Sequence, residues 1–329
     1  MSKDSNPNTG LEPLPDPENG LRRNDPATTA SMTTIVPALF ADAGDRAAFG
    51  FVEFFTAHIH NPNTRGAYGV ALRNFSAWCE HRGLALHRLR SPHVALYIEE
   101  LGTGYSAPTV KQHLAAIRML FDWLIIRQVV EINPAAAVRG PKHIVTKGKT
   151  PVAESDEARQ LLDAIDATTL VGLRDRALIA LLLYTFARVS AAAGMTVGDY
   201  YPQGRRFWVR LQEKGGKQHD MPAHHVLEQY MDEYLSAAGI SLDKASPLFR
   251  SAAGTTGKLT ERRMHRLDVL RMIQRRTRDA GIATSLTCHS FRATGITVYL
   301  KRGGLLEHAQ KMAAHASAKT TKIDRKSVV

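Results

Sequence analysis

The chain has 329 residues, 44% hydrophobic and 7% aromatic, enough apolar material for about two ordinary domains, so a fully disordered chain is excluded. The formal net charge is +12, and the longest largely apolar run is Ala177 to Ala187; a membrane span needs about 20 such residues, so this run reads as a buried helix and no membrane partner is implied. Cys79 and Cys288 are the only cysteines, which excludes a disulfide framework, leaves no Cys-x-x-Cys pair for zinc, and fits a reducing, cytoplasmic compartment.

Residues 1–40 read as a flexible tail without a signal peptide, since no charged stretch precedes an apolar one. The first 35 residues are rich in Pro, Asn, Gly, Asp, Ser and Thr and carry a net −2, leaving +14 on the remainder. A folded region that basic points to a polyanion, most often nucleic acid.

Residues 41–132 are expected to form an all-helical domain. Phe51, Phe54, Phe55 and His58 recur at helical spacing, and a second helix over about Asn63–His81 carries Tyr68, Leu72, Phe75 and Trp78 on one face. A third helix covers about Ser91–Leu101. A fourth starts near Pro108, where proline suits a first turn, and aligns Val110, Leu114, Ile117, Leu120, Phe121 and Leu124. Residues 133–151 hold Asn133-Pro134, Gly140-Pro141-Lys142 and Lys147-Gly148-Lys149 with no long apolar face, and read as a basic interdomain linker.

Residues 152–329 read as a second, mostly helical domain. Ser155-Asp156-Glu157 signals a helix start, with acidic residues in its positive first turn. One β signal is visible: Arg206 to Leu211 as a strand, a Gly215-Gly216 turn, and a return over Gln218–Met221. The expected fold class is therefore mainly α, two domains, with a small antiparallel β-sheet in the second.

Four features of the second domain carry the chemistry. Arg188 is expected at the end of the buried apolar helix, where its charge needs a partner. Lys214 stands beside the Gly215-Gly216 turn. His289-Ser290-Phe291-Arg292 places a histidine and an arginine at i and i+3, on one helix face. His315 lies in an alanine-rich stretch that reads as helical. Singly, each is better explained blandly: an ion pair, a solvated lysine, a packing histidine.

Their order carries more. Arg188, then a hairpin lysine, then His-x-x-Arg, then His315 resembles the tyrosine recombinase, or phage integrase, family. The flanking words resemble it too: Gly172-Leu173-Arg174-Asp175-Arg176, Lys214-Gly215-Gly216-Lys217, His289-Ser290-Phe291-Arg292-Ala293-Thr294 and Thr320-Thr321. The resemblance covers about residue 45 to the end and implies a helical core-binding domain before a catalytic domain. It also implies duplex DNA as partner, a tetramer on DNA, and no cofactor.

By that resemblance, Arg188 and Arg292 clamp the non-bridging oxygens of a scissile phosphate, as two guanidinium forks can without a metal. Lys214 protonates the departing 5′ oxygen, His289 positions or deprotonates the nucleophile, and His315 donates a further hydrogen bond. Arg65, Lys111 and Arg118 on the first domain, with Arg139, Lys142, Lys147 and Lys149 in the linker, are expected to line the DNA surface.

Two features depart from the resemblance. Such families place an acidic residue three positions after the first arginine; here that position is Ala191. They also place a nucleophilic tyrosine nine residues after the last histidine, which would be position 324. That residue is aspartate, within Thr320-Thr321-Lys322-Ile323-Asp324-Arg325, and no tyrosine follows Tyr299. A Tyr-Asp-Arg string is common there, so the tyrosine reads as deleted, and the catalytic domain as truncated, as by a disrupted reading frame. Asp324 is a poor substitute because an acyl phosphate is labile, Ser327 lacks the spacing, and Tyr299 reads as core. The chain thus reads as a site-specific recombinase impaired by the loss of its nucleophile, or as a non-catalytic protein that occupies or regulates recombination sites.

Overall fold

The computed structural model describes residues 36–143, 148, 150–213, 216–315 and 317–324, except the side chains of Ile323 and Asp324. Most of the expected tail, together with Lys147, Lys149 and Lys214, lies outside the described residues. The chain divides into two compact units between residues 144 and 145.

The first unit is all helical. A single turn, α1 (Ala38–Ala41), leads to α2 (Asp45–Glu53), which runs on as a π-helical turn over Phe54–His58. Then follow α3 (Pro62–His81), α4 (Ser91–Gly104) and α5 (Ala107–Ile126). Asn61 caps α3 by accepting from the backbone N–H groups of Asn63 and Thr64, and Pro62 stands at the first helical position, where its missing N–H is not needed. The predicted faces form the core: Phe51, Phe54, Leu72, Phe75, Leu114, Ile117, Leu120, Phe121 and Leu124 are buried together. Leu39 and Phe40, at the end of the expected tail, are buried there too, as are Ala135 and Val138 from the expected linker. Asn133 fixes that segment by donating to Arg118 O and Asp122 Oδ1. Two small apolar residues in an irregular stretch leave no periodic signal, which is why the sequence reads as bare linker.

The second unit is mostly helical around two small antiparallel sheets. It begins with α6 (Ser155–Asp163) and α7 (Leu170–Thr185). Ala177 to Leu182 are fully buried, so this helix is apolar all round, as a central core helix must be. A six-residue helix, α8 (Val189–Gly194), comes next, then β1 (Tyr200–Gln203), β2 (Arg206–Glu213) and β3 (Lys217–Pro222) in the order β1-β2-β3. After α9 (His225–Ala238), strands β4 (Arg250–Ala252) and β5 (Leu259–Arg263) pair as a second sheet. The unit continues with α10 (Arg266–Asp279), α11 (Cys288–Lys301), α12 (Leu306–Met312) and α13 (Ala318–Asp324).

Three expectations need correction. The described residues contain five strands rather than one hairpin. The missed strands are three to five residues long, β1 contains Pro202, and β5 is largely charged, so none shows the alternation of a half-buried strand. Second, α7 ends before Arg188: Phe186 adopts a left-handed conformation (φ 55) and Arg188 becomes the N-cap of α8. Third, His315 is not helical but lies in the turn between α12 and α13, after Ala314 at φ 46.

Gly295 lets α11 approach the end of α7. A Cβ there would stand 2.4 Å from both Leu183 O and the Phe186 ring. Gly295→Ala is therefore expected to destabilise the protein by about 1–3 kcal/mol, the usual cost of overpacking. Thermal unfolding checks this, and a variant melting within a degree of the parent refutes the close approach.

Candidate functional site

The left-handed turn at Phe186 is the hinge of the site. It swings the chain out of α7 so that Phe186 O faces α11 and Arg188 projects two residues later. Arg292, on the second turn of α11, is only 1% exposed. Its guanidinium donates from Nη1 to Phe186 O, from Nη2 to Ala313 O, and from Nε to His315 Nε2 at 3.3 Å. One arginine thus ties together the segments at 186–188, 292 and 313–315.

A guanidinium only donates, so His315 Nε2 must accept from Arg292, and the ring proton belongs on Nδ1. That atom lies 2.9 Å from Thr321 Oγ1 on α13. Thr321 is fully buried. The last described helix is therefore latched to the arginine through one imidazole, three residues before position 324.

Arg188 pairs with Glu213 at the end of β2; the side chains are 33% and 2% exposed, respectively. Glu213 immediately precedes Lys214, which lies outside the described residues. His289, one helical turn before Arg292, is exposed. The expected common face is thus split, with the histidine outside and the arginine inside, because α11 enters the core at Ser290. At the start of this helix Thr287 N–H donates to Ser290 Oγ at 3.0 Å, fixing where the His-x-x-Arg turn begins.

Two alternative nucleophiles are poorly suited. Burial pushes the Cys288 thiol up to about 11, leaving little thiolate near neutrality. Tyr299 lies seven residues beyond Arg292 on α11, about 10 Å along the axis. Its ring packs edge-on to Phe186 and under Gly304, and its hydroxyl lies 3.5 Å from His308 Nδ1.

A buried ion cluster supports the far end of α7. Asp175 is fully buried and accepts from Arg174 Nε at 3.0 Å and from Arg276 Nε and Nη2 at 3.0 and 2.8 Å. Arg174 also donates to Arg250 O at 2.8 Å, so helices α7 and α10 and strand β4 share one charged knot.

Of the basic residues on the first unit, Lys111, Arg139 and Lys142 are exposed. Arg65 and Arg118 are half-buried and spend donors on their own unit. Arg65 donates to Ile59 O at 2.8 and 3.2 Å; Arg118 donates to Ala135 O at 3.0 Å and to Val138 O. Among the described residues, no helix is long and apolar enough to cross a membrane, and no cluster of His, Cys, Asp and Glu could hold a metal ion.

Glu213 and Thr321 carry roles that the sequence reading did not give them. For Glu213 a signal existed: Val209, Leu211 and Glu213 alternate on the buried face of β2, and an inward carboxylate requires a cation. Thr321 belongs to the Thr320-Thr321 pair on which the resemblance partly rests, but nothing local marks its contact with His315, which comes from the preceding turn.

The profile of the phage integrase family matches residues 151–327, and that of the phage integrase N-terminal SAM-like domain matches residues 52–128. Tyrosine recombinase XerC of Myxococcus xanthus is 27% identical over 283 residues, covering 82% of this chain and 90% of that protein. Tyrosine recombinase XerD of Mycobacterium leprae is 29% identical over 276 residues, covering 79% and 85%. The fold is similar to that of the XerH site-specific recombinase bound to palindromic difH substrate, with a TM-score of 0.67, 18% identity, and 91% and 90% of the two chains covered. A lambda integrase tetramer bound to a Holliday junction gives a TM-score of 0.65 at 16% identity, with 93% and 82% covered.

Proposed function

Because the chain belongs to the phage integrase family, we propose that it binds duplex DNA and holds a backbone phosphate at Arg188 and Arg292. The observation that carries this reading is the convergence on Arg292 of Phe186 O, Ala313 O and His315, which joins motifs more than a hundred residues apart around one guanidinium group and ties it to the segment that carries Arg188. Such forks suit phosphate oxygens. Lys214 is the general acid for the departing 5′ oxygen, His289 completes the phosphate environment, and His315 acts through Arg292, from whose Nε it accepts. In our reading, the core-binding domain spans residues 41–132, the linker 133–151 and the catalytic domain 152–329. Duplex DNA, and a tetramer assembled on it, are the partners.

Strand cleavage and rejoining through a phosphotyrosine needs a nucleophile nine residues after His315, and that position is Asp324, not tyrosine. We therefore assign this chain, acting alone, a DNA-holding rather than a DNA-cleaving role. That absence also favours a second reading, a non-catalytic occupant or regulator of recombination sites.

DNA binding should weaken steeply with salt. Each phosphate neutralised contributes about −0.9 to the slope of log affinity against log salt. Replacing the exposed Lys111, Arg139 and Lys142 together by alanine should flatten the slope by roughly two to three. Fluorescence anisotropy with duplex DNA across a salt series reads this directly. Affinity indifferent to salt would reject the proposal.

A further inference from the structure

We infer that Glu213 is a positioning residue for Arg188, an inference that rests on the phosphate-holding role proposed above. Arg188 is a long side chain on a short loop, one-third of that side chain exposed, and an unrestrained arginine loses rotamer entropy when it is fixed. Something must hold it. Its own helix cannot: α8 reads Val189-Ser190-Ala191-Ala192-Ala193-Gly194 and contains no acidic residue, and Ala191 is buried among apolar neighbours. The holding group comes instead from a strand. Glu213 lies at the inward end of β2, its carboxylate almost wholly removed from water and paired with Arg188.

The arrangement costs affinity, and that points to its purpose. A carboxylate beside a phosphate-holding guanidinium lowers the local positive potential and repels the ligand. A site built for tight anion binding alone would leave it out. What the carboxylate supplies is direction: it fixes the Arg188 fork by a charge-assisted hydrogen bond. Glu213 therefore sets the direction of the Arg188 fork from outside the arginine's own helix. A misplacement on the order of 1 Å in such a site costs about 10²-fold in rate.

The test uses the full chain with a tyrosine inserted between Ile323 and Asp324, and nicked duplexes of random sequence. Trapped covalent adducts are recovered and sequenced, and the recovered sequence serves for rate measurements. With Glu213→Gln, adduct formation at saturating DNA should slow by roughly 10- to 100-fold. The Kd for the same duplex without a nick should stay equal or tighten, because a repelling charge has gone. Glu213→Asp should recover much of the rate. A residue that merely supported the fold would weaken rate, affinity and Tm together, with no separation between Gln and Asp, and that pattern overturns the inference. So does an unchanged rate in Glu213→Gln. If the parent tyrosine-inserted chain forms no adduct with any duplex, the phosphate-holding reading itself fails, and the positioning role falls with it.

Discussion

A single inserted tyrosine, placed between Ile323 and Asp324, is expected to turn a chain that forms no covalent bond to DNA into one that does. The new residue would stand nine positions after His315 and create a Tyr-Asp-Arg string. The structure supplies the anchor for that position. Thr321 is buried against His315 Nδ1, and His315 accepts from Arg292, so the backbone three residues before the new tyrosine is tied to Arg292, the arginine proposed to hold the phosphate. In-line attack needs the nucleophile about 3–3.5 Å from phosphorus, and the latch is expected to limit how far the inserted residue strays from Arg292. In the inserted chain, Arg292→Ala should lower adduct formation by 10²-fold or more, about the loss seen on removing one preorganised donor from a developing oxyanion. Arg292 is also a structural tie, holding Phe186 O and Ala313 O, so the comparison includes Arg292→Lys, which keeps the charge but loses the fork. A slow Arg292→Lys chain with a near-parent Tm isolates the loss to phosphate geometry. The measurement is gel-shifted adduct on nicked DNA that denaturation does not release. An adduct formed by the unmodified chain would sink the reading of a missing nucleophile, and peptide mapping would then identify the residue that carries the DNA.

The second large effect is on stability. Asp175→Ala removes the one carboxylate at the centre of the knot formed with Arg174 and Arg276, and with Arg275 at 3.4 Å. Two guanidinium groups then remain in or near the core without their counter-charge. Breaking a buried pair in this way costs about 3–5 kcal/mol, because the remaining charge keeps its desolvation penalty and loses its compensation. At roughly 2–4 °C per kcal/mol for a unit of this size, calorimetry should show the second unit melting about 10 °C lower. Asp175→Asn should fall between, since it retains an acceptor without the charge. A Tm within about 2 °C of the parent would mean that solvent reaches these arginines and that the knot is not a buried ion cluster.

Much of this protein can be read from its residues alone. The helices of the first unit follow from apolar positions that recur every three to four residues, and Pro62 and Pro108 mark helix starts because neither needs an N–H there. The uninterrupted run from Ala177 dictates a helix buried on every side. The family, too, is legible, because it is carried by the order and spacing of charged residues, and order survives folding. Tertiary structure decided what depends on partners distant in the chain. Arg188 looks like the end of a helix until Phe186 turns left-handed, a choice made by packing against α11 at Gly295. His289 and Arg292 share a helical face by spacing, yet the core claims one and solvent the other. Arg65 and Arg118 carry the same charge as Lys111 and Arg139, but nearby carbonyls use their donors. Glu213 is an unremarked acid beside a lysine until the strand's alternation turns it inward and Arg188 meets it. In each case the residue type limits the chemistry that can occur, while burial, and the need of every buried charge for a partner, decides which of those chemistries does.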